Sequence, residues 1–368
     1  MLNLSQNGCS VWVASSTKTE GLLTPTAVAL GKFDGVHLGH RRVIQPVLQP
    51  LLRDGEKGRR GNGENLSEDA PPELTTSPRP QEQIYSTVVT FNPHPQEFFT
   101  GQPRTWLTPL DEKVQQLRSL GVQQLVLLPF DRELAALSPE EFVQKILVQQ
   151  LRCQQISVGQ DFCFGKERRG SAKDLQAIAA KYHIPVTIVT LQTSEAPLLD
   201  ASASHCTELD QIHNAPISTS LIRQYLEIGD LKNANRCLGR LYTLTGTVVE
   251  GEQLGRTIGF PTANLELPKD KFVPRKGVYA VRVKILSQTS ADTTSGELLG
   301  VMNIGNRPTV NGTYSSVEVH LLNWSGDLYD QQLAVELVEF LRPEQKFPSL
   351  EALKTQIQQD CSIAREVL

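Results

Sequence analysis

The chain has 368 residues, 39% of them hydrophobic and 21% charged, and 36 Lys and Arg against 40 Asp and Glu give a formal charge of −4. Domains typically run to roughly 100–200 residues, so two are expected, and the near balance of charge excludes a dominant polyanion-binding surface. The six cysteines are scattered without C-x-x-C spacing, and no apolar run nears the ~20 residues that cross a bilayer, which excludes a disulfide framework, a zinc module and a membrane span.

In chain order, the N-terminus lacks both a basic region and a long apolar core, so no secretory signal is expected. Residues 26–31 read as an apolar strand and 38–53 as a helix. Strands follow at 84–91, 122–128, 155–159 and 184–191. Helices are expected at 108–120, with Thr108 as N-cap, after Ser138 with Glu141 closing a capping box, and at 171–182. Strands alternating with helices predict a parallel sheet covered on both faces.

Beyond two short helices at 218–228 and 230–238 the period changes. Strands are expected at 242–250, 278–286, 299–304, 316–322 and 333–341, separated by Gly- and Pro-rich turns, which predicts an antiparallel barrel or sandwich. Ser349 caps a final amphipathic helix. Residues 54–83 are nearly devoid of apolar side chains and read as a disordered insertion, since burial there cannot offset ordering entropy. Residues 193–216 are a weaker case of the same kind.

The run GKFDGVHLGH (31–40) joins the first strand to the first helix, where open parallel sheets bind ligands. His37 and His40 at a helix N-terminus, with free backbone N–H groups, suit a phosphate cluster, and Gly35 and Gly39 let the backbone approach it closely. A zinc pair or two surface histidines are the alternatives, although no Cys/His spacing supplies further zinc ligands. FNPHP (91–95), GQDFCFG (159–165) with Arg168 and Gly170, and ISTSLIR (217–223) each set polar or cationic groups after a strand or at a helix start.

In this order the four runs resemble the N-terminal half of prokaryotic bifunctional riboflavin kinase/FAD synthetases. The resemblance implies a Rossmann-like nucleotidyltransferase α/β domain with a parallel sheet that adenylylates FMN. By it, His37 and His40 hold ATP phosphates and the charge developing on the α-phosphorus. Gly31, Phe33, Asp34, Gly35, Asp161, Ser218, Ser220 and Arg223 serve nucleotide and phosphate binding. Lys32 stands where the family commonly has Asn, Thr219-Ser220 reverses the usual order, and Pro216 stands where a basic residue is frequent.

The run GTVVEGEQLGRTIGFPTAN (246–264) carries Gly251, Gly255 and Gly259, which permit a tight loop whose amides cradle phosphates. Thr262 and Asn264 offer hard oxygen ligands suited to Mg²⁺ shared with substrate phosphates. In SSVEVHLL (315–322) the strand period puts Glu318 on the face opposite Val317 and Val319, as a general-base candidate or a plain solvent-facing residue. With GVYA (277–280), NIGNRPT (303–309) and LRPEQKF (341–347), these runs resemble the riboflavin kinase half of the same family. That implies a six-stranded antiparallel Greek-key β-barrel plus a C-terminal helix, with Thr262 and Asn264 binding Mg-ATP and Glu318 taking the proton of the riboflavin 5′-hydroxyl.

The expected organisation is an adenylyltransferase domain at 20–238, interrupted at 54–83, and a kinase domain at 239–368. The expected partners are riboflavin, FMN and ATP with Mg²⁺, with flavin as substrate and product, no nucleic acid and no membrane, in the cytoplasm. Nothing in the sequence indicates an oligomer. A cytidylyltransferase would share H-x-G-H but leaves PTAN and Glu318 unexplained. A flavin-sensing regulator without turnover has no need of His37, His40 and Glu318 together.

Overall fold

The computed structural model describes residues 12–14, 21–49, 83–191, 215–251, 254–286, 297–309 and 312–368. The expected insertion at 54–83 lies outside them except for its last residue, as does nearly all of 193–216. The described chain packs as two compact units. The first comprises residues 1–31, 43–92 and 121–189, and the second 32–42, 93–120 and 190–368.

The first unit is built on a parallel six-stranded sheet. Its strands are β1 (Trp12–Ala14), β2 (Thr26–Leu30), β3 (Tyr85–Asn92), β4 (Gln124–Pro129), β5 (Cys153–Gly159) and β8 (Val186–Val189), in the order β1-β4-β3-β2-β5-β8, while β6 (Cys163–Phe164) and β7 (Gly170–Ser171) form a separate antiparallel pair. All five residues of β2 are buried, as a parallel sheet covered on both faces requires. A short α-helix at Pro139–Phe142 runs on into a π-helix (Val143–Gln150) whose Ile146 and Leu147 join Leu175 and Ile178 of a helix at Ala172–Ala180 in one apolar cluster with Val28, Val126 and Ile156. Both helix starts are local and legible: Ser138 and Ser171 each accept from the backbone N–H three residues on, and each capping box closes. The strand order reverses between β2 and β5. Their carboxyl ends, at Leu30 and Val158 in register, therefore flank a topological switch point.

The second unit contains a closed antiparallel barrel. Its strands are β9 (Tyr242–Val249), β10 (Ala263–Glu266), β11 (Gly277–Ile285), β12 (Leu298–Thr309), β13 (Gly312–Leu321) and β14 (Gln332–Arg342), joined in the order β10-β13-β12-β11-β14-β9. Three hairpin-linked strands, β11 to β13, with β14 returning beside β11 make a Greek key. Five strands are readable in the sequence; the sixth, β10, is four residues that begin within the PTAN run and end two residues past it. The interior residues Leu244, Val281, Met302 and Val319 are continuous with Leu221, Tyr225, Leu231 and Leu238 from helices at Thr219–Ile228 and Leu231–Leu238. The C-terminal helix, Leu350–Val367 with Ser349 as N-cap, lies on the outer wall, where Cys361 and Ala364 meet Val278, Ala280 and Val301.

Thr108 does not cap the helix that follows it. That helix spans Leu110–Ser119 behind Pro109, and the Thr108 hydroxyl accepts instead from Gly35 N at 2.9 Å. A long-range partner outcompetes the local cap, which spacing alone does not reveal.

Candidate functional site

In the second unit, residues 32–36 form a tight loop ahead of the helix at Leu38–Leu48. Phe33, Gly35 and Val36 all have positive φ, at 47°, 91° and 42°. Left-handed backbone at two residues carrying side chains is held only where surroundings fix it. Asp34 provides that fixing. Its carboxylate, almost wholly buried, accepts from Leu107 N at 2.8 Å and Thr108 N at 3.3 Å. The carboxylate also pairs with Arg223 at 3.3 Å and Arg104 at 3.8 Å, while its carbonyl accepts from Thr219 Oγ1 at 2.9 Å.

This loop delivers two stacked imidazoles. His37 and His40 have ring centroids 3.6 Å apart at an interplanar angle of 20°, and Phe33 tilts against His40 at 5.2 Å. His40 N donates to His37 Nδ1 at 3.3 Å, so a neutral His37 carries its proton on Nε2. Burial, and then the nearby Arg240 guanidinium, push His37 down to about 3; burial, His37 and Lys113 hold His40 well below the usual histidine range. Both rings are therefore neutral donors near pH 7. His40 Nδ1 is buried without a hydrogen-bond partner among the described residues. An arriving polyanion would supply both a partner and a reason to bind a proton.

His94 sits close to the same loop's cations. It caps the short helix Pro95–Thr100, with Nδ1 accepting from Gln96 N at 3.1 Å and Glu97 closing the capping box. Burial lowers it to about 4, with Lys32, Arg104, Lys113 and Arg223 acting in the same direction. Trp106 packs edge-on at 5.6 Å, and the buried Lys113 ammonium lies 4.7 Å over its ring. Four cations around one neutral imidazole, with Asp34 paired to two of them, form a cluster suited to phosphate.

Of the residues the sequence singles out, Phe33, Asp34, Gly35, His37, His40 and Arg223 thus come together. Ser218 is the N-cap of its helix, accepting from Leu221 N at 3.2 Å, and Ser220 is exposed. Thr219 holds the loop instead. Gly31 and Asp161 belong to the first unit, following the adjacent carboxyl ends of β2 and β5; Asp161 is exposed and folds back over Gly159. Arg104, Trp106 and Lys113 were missed. Their only sequence signal is a basic and an aromatic residue just ahead of the 108–120 helix and a lysine within its first turns.

The second constellation lies on the outer wall of the barrel. Val317 and Val319 point into the core, so Glu318 points outward, directly opposite Asn264 on β10 and Asn303 on β12. The loop before β10 closes tightly over this row. A Cβ on Gly251 would overlap Asn264 Nδ2, and one on Gly255 would overlap Phe260 O and meet Thr262 Oγ1 at 3.3 Å. Gly259 has a φ of +90° with nothing within 4 Å, so its need is backbone freedom rather than space. His320 Nδ1 lies 2.8 Å from Pro261 O, tying the loop to β13. Thr262, Asn264 and Glu318 are thereby gathered beside a glycine loop. Among the described residues no cluster of His, Cys, Asp and Glu is built to hold a metal unaided.

The chain matches two family models: riboflavin kinase over residues 238–368, and FAD synthetase over 20–55 and 75–199. The chain is 36% identical to a bifunctional riboflavin kinase/FMN adenylyltransferase of Escherichia coli over 92% of its own length and 91% of that protein's. It is 32% identical to one of Bacillus subtilis over 91% of this chain and 90% of that one. The chain belongs to the bifunctional riboflavin kinase/FMN adenylyltransferase family. Within that family it is an enzyme with both activities. A crystal structure described as a macrolide-efflux protein from Streptococcus pneumoniae matches with a TM-score of 0.72 and 25% identity, covering 96% of this chain and 99% of that one. Among the described residues here, no helix is long and apolar enough to cross a membrane.

Proposed function

We propose that the chain phosphorylates riboflavin to FMN at the Glu318 row and adenylylates FMN to FAD at the His37–His40 stack, using ATP in each step. One observation carries this reading: the chain sets out two distinct polar constellations, each beside a close-approach loop and each bearing residues within the stretch matched by the corresponding family model. We place the functional division near residue 239 and the protein in the cytoplasm.

In the kinase step Glu318 takes the proton of the riboflavin 5′-hydroxyl, the oxygen attacks the γ-phosphorus of ATP, and ADP leaves. The Thr262 hydroxyl and the Asn264 amide oxygen, both pinned under glycines, are hard oxygen donors that fit Mg²⁺ held jointly with substrate phosphates. Bound there, the ion would neutralise charge on the transferring phosphoryl group. Gly251 and Gly255 leave the loop's backbone free to approach the phosphates.

In the adenylyl step an FMN phosphate oxygen attacks the α-phosphorus of ATP and pyrophosphate leaves. No protein nucleophile is needed, so positioning and charge stabilisation supply the rate. His37 and His40 donate hydrogen bonds to oxygens gaining charge. Arg223 and the cations around His94 hold phosphate, and Asp34 fixes the loop. Ser218 and Ser220 contribute to nucleotide binding.

The test is incubation with riboflavin, ATP and Mg²⁺ followed by chromatography of the flavins. FMN should rise first and FAD follow. Riboflavin left unchanged by folded protein would overturn the reading.

A further inference from the structure

Lys271 lies in the stretch matched by the riboflavin kinase model, yet its ammonium donates to Leu107 and Glu112, outside that stretch. It is buried, with only 1% of the side chain exposed, and donates to Leu107 O at 2.9 Å and to Glu112 Oε2 at 2.5 Å. Tyr242 lies beneath it at 4.7 Å. The backbone around it repeats the connection: Trp106 N donates to Asp270 O at 2.6 Å, and Phe272 N donates to Trp106 O at 2.8 Å. The segment so gripped, 106–108, is the one that fixes the histidine loop. Leu107 N and Thr108 N donate to the Asp34 carboxylate, and Thr108 Oγ1 accepts from Gly35 N. From ammonium to imidazole loop the chain of contacts is short: Lys271, the 106–108 backbone, Asp34 and Gly35.

We infer that Lys271 is a positioning residue for adenylyl transfer, supplied by the kinase stretch of the sequence. This rests on the reading of His37 and His40 as the adenylyl-transfer site. A buried ammonium is costly unless paired and hydrogen-bonded, and a structural tie between strands would be made more cheaply by apolar side chains. Here one of its hydrogen bonds goes to the segment that fixes the catalytic loop and the other to Glu112 on the helix that follows that segment. Effective catalysis by stacked donors depends on their placement, and displacement by about 1 Å costs on the order of 10²-fold. No contact of Lys271 reaches Glu318, Asn264 or Thr262 among the hydrogen bonds described, so the kinase reaction serves as an internal control.

The experiment compares Lys271→Met with the double variant Lys271→Met/Glu112→Leu. The double variant removes the stranded carboxylate as well as the ammonium. FMN adenylylation and riboflavin phosphorylation are each measured over a range of ATP concentrations, beside a thermal melt. In both variants kcat for adenylylation should fall by roughly 10–100-fold, in line with a displaced loop, while kcat for the kinase stays within about twofold. The double variant should melt closer to the parent than the single one does and still fail to recover adenylylation. Recovery of adenylylation in the double variant would make Lys271 a mere counter-charge and overturn the inference. So would equal loss of both reactions, which marks a general structural role. Failure of the underlying reading shows separately, as normal FAD formation by a His37→Ala/His40→Ala variant with Lys271 intact.

Discussion

His37 and His40 stack with their ring centroids 3.6 Å apart, and His37 Nδ1 accepts the backbone N–H of His40. Two cationic rings at that distance would repel, and burial already disfavours charge on either. The pair is thus stored in its neutral, proton-donating form, ready to be charged by phosphate.

Stability should reflect this. The folded pKa of His37 is lowered to about 3 from an ordinary 6.5, and that of His40 is lowered too, so between those values the unfolded chain binds more protons. Stability therefore rises with pH through this window and levels off above about pH 6.5. Each histidine contributes up to about 1.4 kcal/mol per pH unit within it. Thermal melts from pH 7 to pH 5 should show falling Tm, with a shallower fall in His37→Gln/His40→Gln. An equally steep fall in that variant would assign the acid sensitivity to other groups.

Removing the imidazoles should separate the two reactions. His37→Ala/His40→Ala should lower FMN adenylylation by at least about 10²-fold, the usual effect of losing one such donor. Riboflavin phosphorylation should stay within about twofold, as read from FMN accumulating without FAD. Parallel loss of phosphorylation in a folded double variant would join the two sites into one.

The barrel loop offers a contrast between two glycines. In Gly251→Ala the new methyl group would overlap Asn264 Nδ2. Kinase kcat should drop by at least about tenfold, equivalent to about 1.4 kcal/mol of barrier. Gly259→Ala meets no neighbour within 4 Å and suffers only its φ of +90°. It should cost about 1–2 kcal/mol in local backbone strain and change kinase kcat far less. Steady-state kinetics of the two variants side by side decides the matter, and equal effects would deny the Asn264 contact its role.

The C-terminal helix is tied to the barrel by Arg342, whose Nε and Nη2 donate to Asp360 at 2.9 and 2.8 Å; the Asp360 side chain is 3% exposed. Arg342→Leu leaves that carboxylate without its counter-charge, with only Gln356 Nε2 still donating to it at 3.0 Å, and should cost about 3 kcal/mol. Arg342→Leu/Asp360→Leu should regain most of it. Chemical denaturation measures both, and a double variant no more stable than the single one would reject the pairing as the cause.

What was legible in the sequence was local. Ser138, Ser171 and Ser349 cap their helices as their spacing announces, because a cap needs partners only three residues away. The alternation around Glu318 gave its outward face for the same reason. Thr108 misled because Gly35, 73 residues earlier, takes its hydroxyl. Strand β10 was hidden because four residues in a turn-like run carry no period. Lys113, Arg104 and Lys271 act through partners far away in the chain, and no spacing rule reaches across such separations. The resemblance supplied the roles of residues whose contacts only the fold makes visible.

The most direct test of two separate sites on one chain is complementation. Glu318→Gln keeps the strand but removes the proton acceptor, and should lower kinase turnover by about 10²–10⁴-fold while still converting supplied FMN to FAD. His37→Ala/His40→Ala should stop at FMN. Given riboflavin, ATP and Mg²⁺, neither variant alone should make FAD at an appreciable rate, and an equimolar mixture should carry riboflavin through to FAD, read by chromatography of the flavins. A mixture that stalls although both variants are folded, or a Glu318→Gln variant that phosphorylates riboflavin at the parent rate, would contradict the account.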